Sequence, residues 1–444
     1  MKPRIASTIA SALALSGVMA CASPSTATVS STPTGWDEWL NGKYATGNWG
    51  GLRDRLEADG IQFFGFYTSI PAGVVSGGMR RGATYVDDWY FGVHLDLEKL
   101  IGWNGATFTV SGINRDGESL TKHYVGSNFD AQQCYGGQNV FLYGVYLEQK
   151  IANDKVTVKL GRFSASDDFN SSPLYGYSLN NAINGDIRAV LFDTQFSAYP
   201  YSTWAGSIKV QPTGETYAQL GVFQGGDRLF NSRLNGVNWD ITSGDCAFVI
   251  GQVGWTPEFN KQAVPGTGDG KGKPAEMKGL PGHYWVGASY SSYEYTKFNS
   301  TTDKGTNSYG VYAHADQMVY QEGPGSDQGL TVFTAGCLYP QKEISIMPWQ
   351  ATLGLNYKGL IPGRDDDHTM LHAVYGRFSS VYADSVEAAG GGRPQYEAVL
   401  ETGHRIALTK FAYIQPDVQL ILNPAGAHRI PNAVVLGAQL GVTF

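Results

Sequence analysis

The sequence predicts an all-β protein: a 16-stranded antiparallel transmembrane β-barrel with a short N-terminal periplasmic helix. Three observations lead to this prediction. The chain has 16% charged residues, 57 glycines and 13% aromatic residues among its 444 residues, whereas soluble proteins average roughly 25% charged residues and roughly 7% glycine. Long segments alternate between apolar and polar residues with a period of two. Short and long linkers between these segments also alternate along the chain.

Composition and charge exclude several other classes. Past the N-terminus no segment approaches the ~18 uninterrupted apolar residues that a membrane-spanning helix needs. The formal net charge is −7 and no Lys/Arg run exceeds two, so nucleic acid is not an expected partner. Signatures of metalloproteases, serine hydrolases and phosphate-binding loops are absent. No cofactor and no metal is predicted, because the metal-like segment 365–368 follows Pro362 and Gly363 in what reads as a solvated turn.

The N-terminus predicts export. A basic start is followed by an uncharged segment, Ile5–Ala20, and then by small residues, which is typical of a secretory signal peptide spanning 1–22. An alternative is lipidation of Cys21, although Met19 fits a lipidation motif poorly. Residues 23–47 are predicted to form a flexible N-terminal segment. The expected location is the bacterial outer membrane.

One helix is predicted before the barrel, over residues 48–60. Asn48 can cap it, Leu52 and Leu56 share a face, and Gly60 ends it. Too few apolar residues lie on that face to hold the helix alone in water, so it must pack against something. The barrel itself is predicted to span 61–444. Its sixteen predicted strands are 61–69, 83–98, 104–113, 138–150, 155–163, 201–211, 214–224, 247–256, 282–293, 308–321, 328–338, 349–358, 368–379, 394–408, 411–422 and 432–444.

The linkers and the strand faces favour a membrane barrel over a soluble sandwich. Short turns at one rim and long loops at the other are typical of outer-membrane barrels, although the long linker 257–281 breaks this rule. Leu436 and Leu440 lie on one face of the last strand, and Gln439 lies on the other. A sandwich strand also alternates, but a sandwich has no reason to end its chain on Phe444, the type of residue by which the assembly machinery selects these barrels. Outer-membrane lipid and lipopolysaccharide are therefore expected partners.

The same alternation places polar side chains in the lumen, which in a sixteen-stranded barrel is wide enough for a water channel. Three cysteines remain after removal of the signal peptide. Cys134 and Cys246, in polar Gly-rich loops, are the candidate disulfide, and free thiols are the alternative; Cys337 lies in an apolar strand. The predicted lumen-lining residues are His94, Asp96, Glu397, Glu401 and Arg405.

Eight short motifs lie at residues 49–53, 60–61, 96–103, 115–117, 161–163, 362–366, 415–419 and 423–426. Together these motifs resemble the OprB family of carbohydrate-selective porins. They occur in order from about residue 45 to the terminal Phe444, so the resemblance covers nearly the whole mature chain. It implies a sixteen-stranded outer-membrane barrel through which mono- and small oligosaccharides diffuse. The three cysteines depart from the family pattern.

The residues give an independent argument for a sugar. A sugar site needs aromatic faces together with groups that donate and accept hydrogen bonds, and the loops 114–138 and 164–200 carry such mixtures. Arg115 continues the inward-facing alternation of its strand and opens the family's Arg-Asp-Gly motif. For the loop side chains other than Arg115 the alternative is an ordinary solvated residue, and for Arg80 and Arg81 it is a location at the rim. The predicted constriction residues are Arg115, Asp116, Glu118, Arg80 and Arg81.

Other functions stay open at this point. The nearest alternative is a general or organic-anion diffusion porin, which a clearly basic constriction would favour. A hydrolase on the barrel wall is a second alternative, although an enzyme is not the expected reading. A third is a passive structural or adhesion protein, whose lumen would need no acidic and basic lining. The sequence leaves open which sugar passes, the pore radius, and whether the barrel is a monomer or a homotrimer.

Overall fold

The computed structural model describes residues 35–134, 139–265, 267, 276–300, 302–303, 305 and 307–444. The predicted signal peptide 1–22 and residues 23–34 of the predicted flexible segment lie outside these ranges. The strands are β1 Ile61–Ser76, β2 Gly82–Asp96, β3 Ala106–Gly117, β4 Asn139–Ile151, β5 Val156–Phe163, β6 Thr203–Val210, β7 Thr216–Gly225, β8 Cys246–Trp255, β9 Glu258–Ala263, β10 Met277–Ser291, β11 Ser308–Gln321, β12 Gly329–Leu338, β13 Trp349–Lys358, β14 His368–Arg377, β15 Tyr396–Ala407, β16 Ala412–Leu422 and β17 Ala433–Thr443.

Sixteen of these strands close into an antiparallel barrel. Consecutive strands pair from β1 to β8, and β8 then pairs with β10, which continues the order to β17. The barrel closes because β1 pairs with both β2 and β17. The remaining strand, β9, pairs only with the start of β10 and extends the wall past the short-turn rim. The predicted fold class is confirmed, and the exceptional linker 257–281 contains this added hairpin.

Helical segments are short. The α-helices are α1 Trp36–Leu40, α2 Leu52–Ala58, α3 Leu97–Ile101, α4 Arg188–Asp193 and α5 Ser380–Ala388. Single turns of 3₁₀ or π type lie at Trp49–Gly51, Thr121–Val125, Ala165–Asp167, Pro173–Tyr177, Asp227–Phe230, Ser232–Leu234 and Pro424–Gly426. None of the helices in the described ranges is long and apolar enough to cross a lipid bilayer.

Several strand boundaries differ from the prediction. β1 continues past residue 69 to Ser76, and its pairing with β17 skips Ile70 and Pro71, where the proline has no N–H to donate. β3 extends to Gly117, so Arg115 lies in a strand and not in the following loop. β2 ends at Asp96, because that side chain accepts bonds from the N–H groups of residues 98 and 99 and caps α3.

The outward faces are apolar, as the alternation predicts. Trp89 and Phe91 of β2 are exposed, as are Leu160 of β5, Leu400 of β15 and Leu436 of β17. Side chains on the opposite face of these strands, such as Asp88, Lys159 and Glu401, are buried inside the barrel. A lipid-facing apolar band around a polar interior is the pattern of an outer-membrane barrel.

The N-terminal helix packs on the barrel through a different face from the one predicted. Helix α2 spans Leu52–Ala58 and follows a 3₁₀ turn, and Gly60 (φ 96°) ends the segment. Leu52 is exposed, whereas Arg53 is only 2% exposed and lies against the barrel seam. A buried cation, more than the two leucines, therefore fixes this helix. The short helix α1 lies within 23–47, the range predicted to be flexible.

Candidate functional site

Two long loops fold into the barrel and fill much of its interior. The β3–β4 loop is described over 118–134 and the β5–β6 loop over 164–202. Many of their polar side chains are buried, although both loops lie between strands at the long-loop rim. The fully buried polar residues of the β5–β6 loop include Ser178, Asn180, Asn181, Asn184, Asp186 and Arg188.

Two inward-facing glutamates of β15 hold these loops. Glu397 accepts bonds from the backbone N–H groups of Asn128 (2.9 Å) and Phe129 (2.7 Å) in the β3–β4 loop, and from that of Ala425 (2.8 Å). Glu401 accepts from the N–H groups of residues 179 (2.5 Å) and 180 (3.0 Å) in the β5–β6 loop. Both glutamates face inward as the alternation predicts, but they are buried beneath the loops and do not line open water. Their role in the structure is to anchor the two loops to the wall.

Arg405, four residues further along the same face, stays partly exposed. Its guanidinium carbon lies 4.4 Å from the ring centroid of Tyr177 and 4.2 Å from that of Tyr413. It donates to Gln415 (2.8 Å) and to the carbonyl oxygen of Gly176 (2.7 Å). The two rings and the loop carbonyl hold this cation at the inner wall.

Arg115 faces inward as predicted, but its ion-pair partner is Asp88. The two residues lie directly opposite in the β2–β3 pairing, and Arg115 Nε donates to Asp88 Oδ1 at 2.8 Å. Tyr199 of the β5–β6 loop donates its hydroxyl to Asp88 Oδ2 at 2.5 Å, and its ring lies 4.7 Å from the guanidinium carbon. The Arg115 side chain has no exposed surface, so a sugar cannot reach it without movement of the loop.

The other predicted constriction residues are scattered. Asp116 and Glu118 are exposed, and Asp116 accepts a bond from the N–H of the next residue, because it follows Arg115 in a strand and so points to the opposite face. Arg80 and Arg81 are exposed in the turn between β1 and β2. Arg80 donates to the carbonyl oxygen of His123, which places it at the long-loop rim.

The remaining predicted lumen residues divide between wall and rim. His94 faces the interior, where its ring stacks on Phe64 at 4.5 Å and its Nδ1 lies 2.8 Å from Thr109 Oγ1. Asp96 caps α3 at the short-turn rim, so its assignment to the lumen is corrected. In the described ranges, no group of three or more His, Cys, Asp or Glu side chains is placed to hold a metal ion.

The candidate disulfide between Cys134 and Cys246 is not formed. Cys134, Cys246 and Cys337 are all free thiols. Cys134 is buried in the β3–β4 loop, where burial raises the pKa of its thiol, whereas Cys246 begins β8 beside Gly225. The two thiols belong to elements that pack on different parts of the wall, and loop chemistry alone did not reveal this.

A cavity of about 710 Å³ lies between the β5–β6 loop and the wall formed by β4, β5, β6, β7, β8 and β10. We call it the vestibule; it is open towards the short-turn rim, because turn residues 211, 214 and 256 border it. Its polar and aromatic lining residues include Glu148, Lys159, Asp167, Asp168, Phe169, Lys209, Tyr217, Gln219, Gln252 and His283.

The vestibule combines both charge signs with aromatic rings. Lys159 Nζ lies 3.2 Å from Asp168 Oδ1 and 4.0 Å from Asp167 Oδ2. Lys209 Nζ lies 4.7 Å from the ring centroid of Tyr217, whose hydroxyl is 2.9 Å from His283 Nε2. This lining can donate and accept hydrogen bonds beside an aromatic face, without a ring of one charge sign.

Sequence reasoning missed several of these residues. Lys209, Tyr217 and His283 were not singled out from the sequence. The alternation could have found Lys209, because its neighbours Ile208 and Val210 are apolar and outward. The alternation puts Asp88 on the same inward face as Arg115. No local signal could have shown that Tyr199 meets them, because Tyr199 comes from a loop whose path is set by tertiary packing.

A closed sixteen-stranded antiparallel barrel, with a polar interior narrowed by an inward-folded loop, defines a bacterial outer-membrane porin. The chain belongs to the OprB family of carbohydrate-selective porins, which matches residues 80–444. The predicted family and the predicted outer-membrane location are thus confirmed.

Known proteins agree with this assignment. Porin B of Pseudomonas aeruginosa is 24% identical over 438 residues, which cover 91% of this chain and 92% of that protein. The high-pH structure of OprB from Pseudomonas putida superposes with a TM-score of 0.83 at 25% identity, covering 91% of this chain and 99% of that one. The low-pH structure of the same protein shares the fold, with a TM-score of 0.59 at 22% identity.

Proposed function

We propose that small neutral carbohydrates diffuse through this barrel and bind weakly in the vestibule. The observation that carries the proposal is the lining itself, where Lys159 and Asp168 form an ion pair beside Lys209 and Tyr217. A paired charge still offers spare donors and acceptors to a hydroxyl. The tyrosine ring supplies an apolar face on which a sugar ring can stack. We propose Arg405 as a second wall contact, and we propose Arg115 as a positioning residue and not as a sugar ligand.

Weak binding suits a channel. Millimolar affinity corresponds to about −4 kcal/mol, which a few hydrogen bonds of about 1 kcal/mol net plus one stacking contact can supply. A site that bound much more tightly would not release its solute. The proposal therefore assigns the barrel a channel role and no catalytic step.

The test is sugar-induced block of ion current through single channels in planar bilayers. Lys209→Gln should weaken block by glucose several-fold, because it replaces a charged hydrogen-bond donor in the vestibule with a shorter, neutral amide. Lys155→Gln is the matched control, since Lys155 is exposed in the β4–β5 turn and does not line the cavity. Equal block in both variants would place the sugar contact elsewhere. Stronger block by an organic anion than by glucose or sucrose would favour the anion-porin alternative.

A further inference from the structure

A second pocket lies on the outside of the barrel, at the long-loop rim. Its volume is about 380 Å³, and it is formed where the β12–β13 and β14–β15 loops meet the wall. We call it the rim pocket. Its lining includes Leu338, Trp349, Arg377, Lys342 and Arg393. Leu338, Trp349 and Arg377 belong to the outward face of their strands and are exposed, so the pocket faces the membrane and not the lumen.

The rim pocket adjoins a row of aromatic rings on the outer face of the barrel. The ring of Trp349 lies 5.2 Å from that of Tyr375, which stacks on Tyr396 at 5.3 Å. Arg377 pairs across the sheet with Trp349 on one side and with Tyr396 on the other. Because aromatic girdles mark the two membrane–water interfaces of such barrels, the pocket lies at the level of the lipid headgroups.

Two cations in the rim pocket have no anionic partner in the described part of the chain. Arg377 and Lys342 are exposed and make no ion pair there, whereas Arg393 is already bound to Asp384 and Glu387 (3.3 Å). A cation on the lipid-facing side of a barrel destabilises the fold when it lies near the middle of the bilayer, and this destabilisation becomes small near the membrane–water interface. An unpaired arginine in this position is therefore suited to an anion that the membrane itself supplies.

We propose that the rim pocket binds a phosphate group of lipopolysaccharide, the phosphorylated glycolipid of the outer leaflet. Long loops of outer-membrane barrels face the cell exterior, so this rim contacts the outer leaflet. The Arg377 guanidinium presents a planar set of donors that matches a phosphate in bidentate geometry. Lys342 adds a second charge, and Leu338 with Trp349 gives an apolar surface for the adjoining acyl chain.

Fluorescently labelled bisphosphorylated lipid A and its dephosphorylated form, titrated onto the purified full barrel in detergent, test this proposal. Wild type should bind the bisphosphorylated form at least about tenfold more tightly, the factor expected for one charge-assisted contact. Arg377→Gln and Lys342→Gln should each remove most of that preference, while Arg377→Lys should keep part of it. Lys155→Gln, which removes the same charge at the opposite rim, should retain it.

The outcomes separate the alternatives. Equal binding of the two lipids by wild type overturns the proposal without any variant, so it stays testable even where a substitution prevents assembly. Full displacement of the labelled lipid by millimolar inorganic phosphate would assign the pocket to free phosphate and also overturn it. Single-channel conductance should be unchanged in every rim-pocket variant, because the pocket lies outside the lumen; a changed conductance would show that the substitution had disturbed the barrel.

Discussion

Arg53 joins the two ends of the barrel at its seam. Its Nη2 donates to the main-chain oxygens of Phe63 (2.9 Å) and Phe444 (3.0 Å). Its guanidinium carbon lies 3.4 Å from the ring centroid of Tyr44 and 4.8 Å from that of Trp49. Because β1 pairs directly with β17, one buried side chain links the N-terminal segment, the first strand and the last residue of the chain.

Arg53→Ala should lower the thermal stability of the folded barrel. The substitution leaves two carbonyl groups without their charged donor, and hydrogen bonds to charged groups contribute about 1.5–3 kcal/mol each. The measurement is the temperature at which the heat-modifiable folded band converts to the unfolded one on a gel. Arg55→Ala is the matched control, since Arg55 lies exposed on the same helix. Equal conversion temperatures for the two variants would show that the seam contact contributes nothing.

Glu401→Ala should loosen the β5–β6 loop. It removes the acceptor for two buried backbone N–H groups, and each unsatisfied buried donor costs about 1–3 kcal/mol. We expect higher and noisier single-channel conductance, because the loop fills the interior beneath that glutamate. Glu401→Gln keeps an acceptor oxygen and should stay closer to wild type. A quiet, wild-type current in the alanine variant would contradict the anchoring role.

Asp193 should make the stability of the folded barrel depend on pH. It lies in the β5–β6 loop, accepts bonds from the N–H groups of Ile346 (2.6 Å) and Met347 (3.1 Å), and burial raises the pKa of its carboxyl to about 8. The folded state therefore holds its proton up to a higher pH than the unfolded chain, whose aspartate pKa is about 3.9. Stability contributed by this group is present below pH ~4 and is lost as pH rises towards 8, by at most about 1.4 kcal/mol per pH unit.

Asp193→Asn should remove that dependence. Asparagine keeps an oxygen acceptor for the two N–H groups and cannot ionise. The melting temperature of the variant, followed by circular dichroism, should exceed that of wild type at pH 8 and match it near pH 4. A constant difference between the two proteins across this range would mean that Asp193 does not titrate there.

Leu160→Lys should impair assembly, whereas Thr157→Lys should not. Both positions are in β5, but Leu160 is outward and exposed, and Thr157 faces the vestibule. A lysine at mid-membrane on the lipid side costs about 2–4 kcal/mol, and a lysine in a water-filled lumen does not. The yield of heat-modifiable barrel after refolding measures the difference. Equal yields would contradict the assigned faces of this strand.

The barrel and the direction in which its side chains point could be predicted from the sequence alone. Alternation is a local property of a strand, because successive side chains project to opposite faces. The inward orientation of Glu397, Glu401, Arg405 and Arg115 followed from it correctly. The terminal Phe444 and the spacing of linkers were also readable without a structure. The N-terminal helix was predicted, although its packing residue was not.

The contacts that those inward side chains make depend on the tertiary structure. Glu401 does not line open water. It binds the β5–β6 loop, because that loop folds back across the wall and brings backbone N–H groups that are distant in sequence to the glutamate. Arg115 forms an ion pair with Asp88 of the neighbouring strand and contacts Tyr199 of that same loop. It does not pair with its sequence neighbours Asp116 and Glu118. The path of a long loop depends on contacts between residues far apart in the chain, and no local periodicity encodes them.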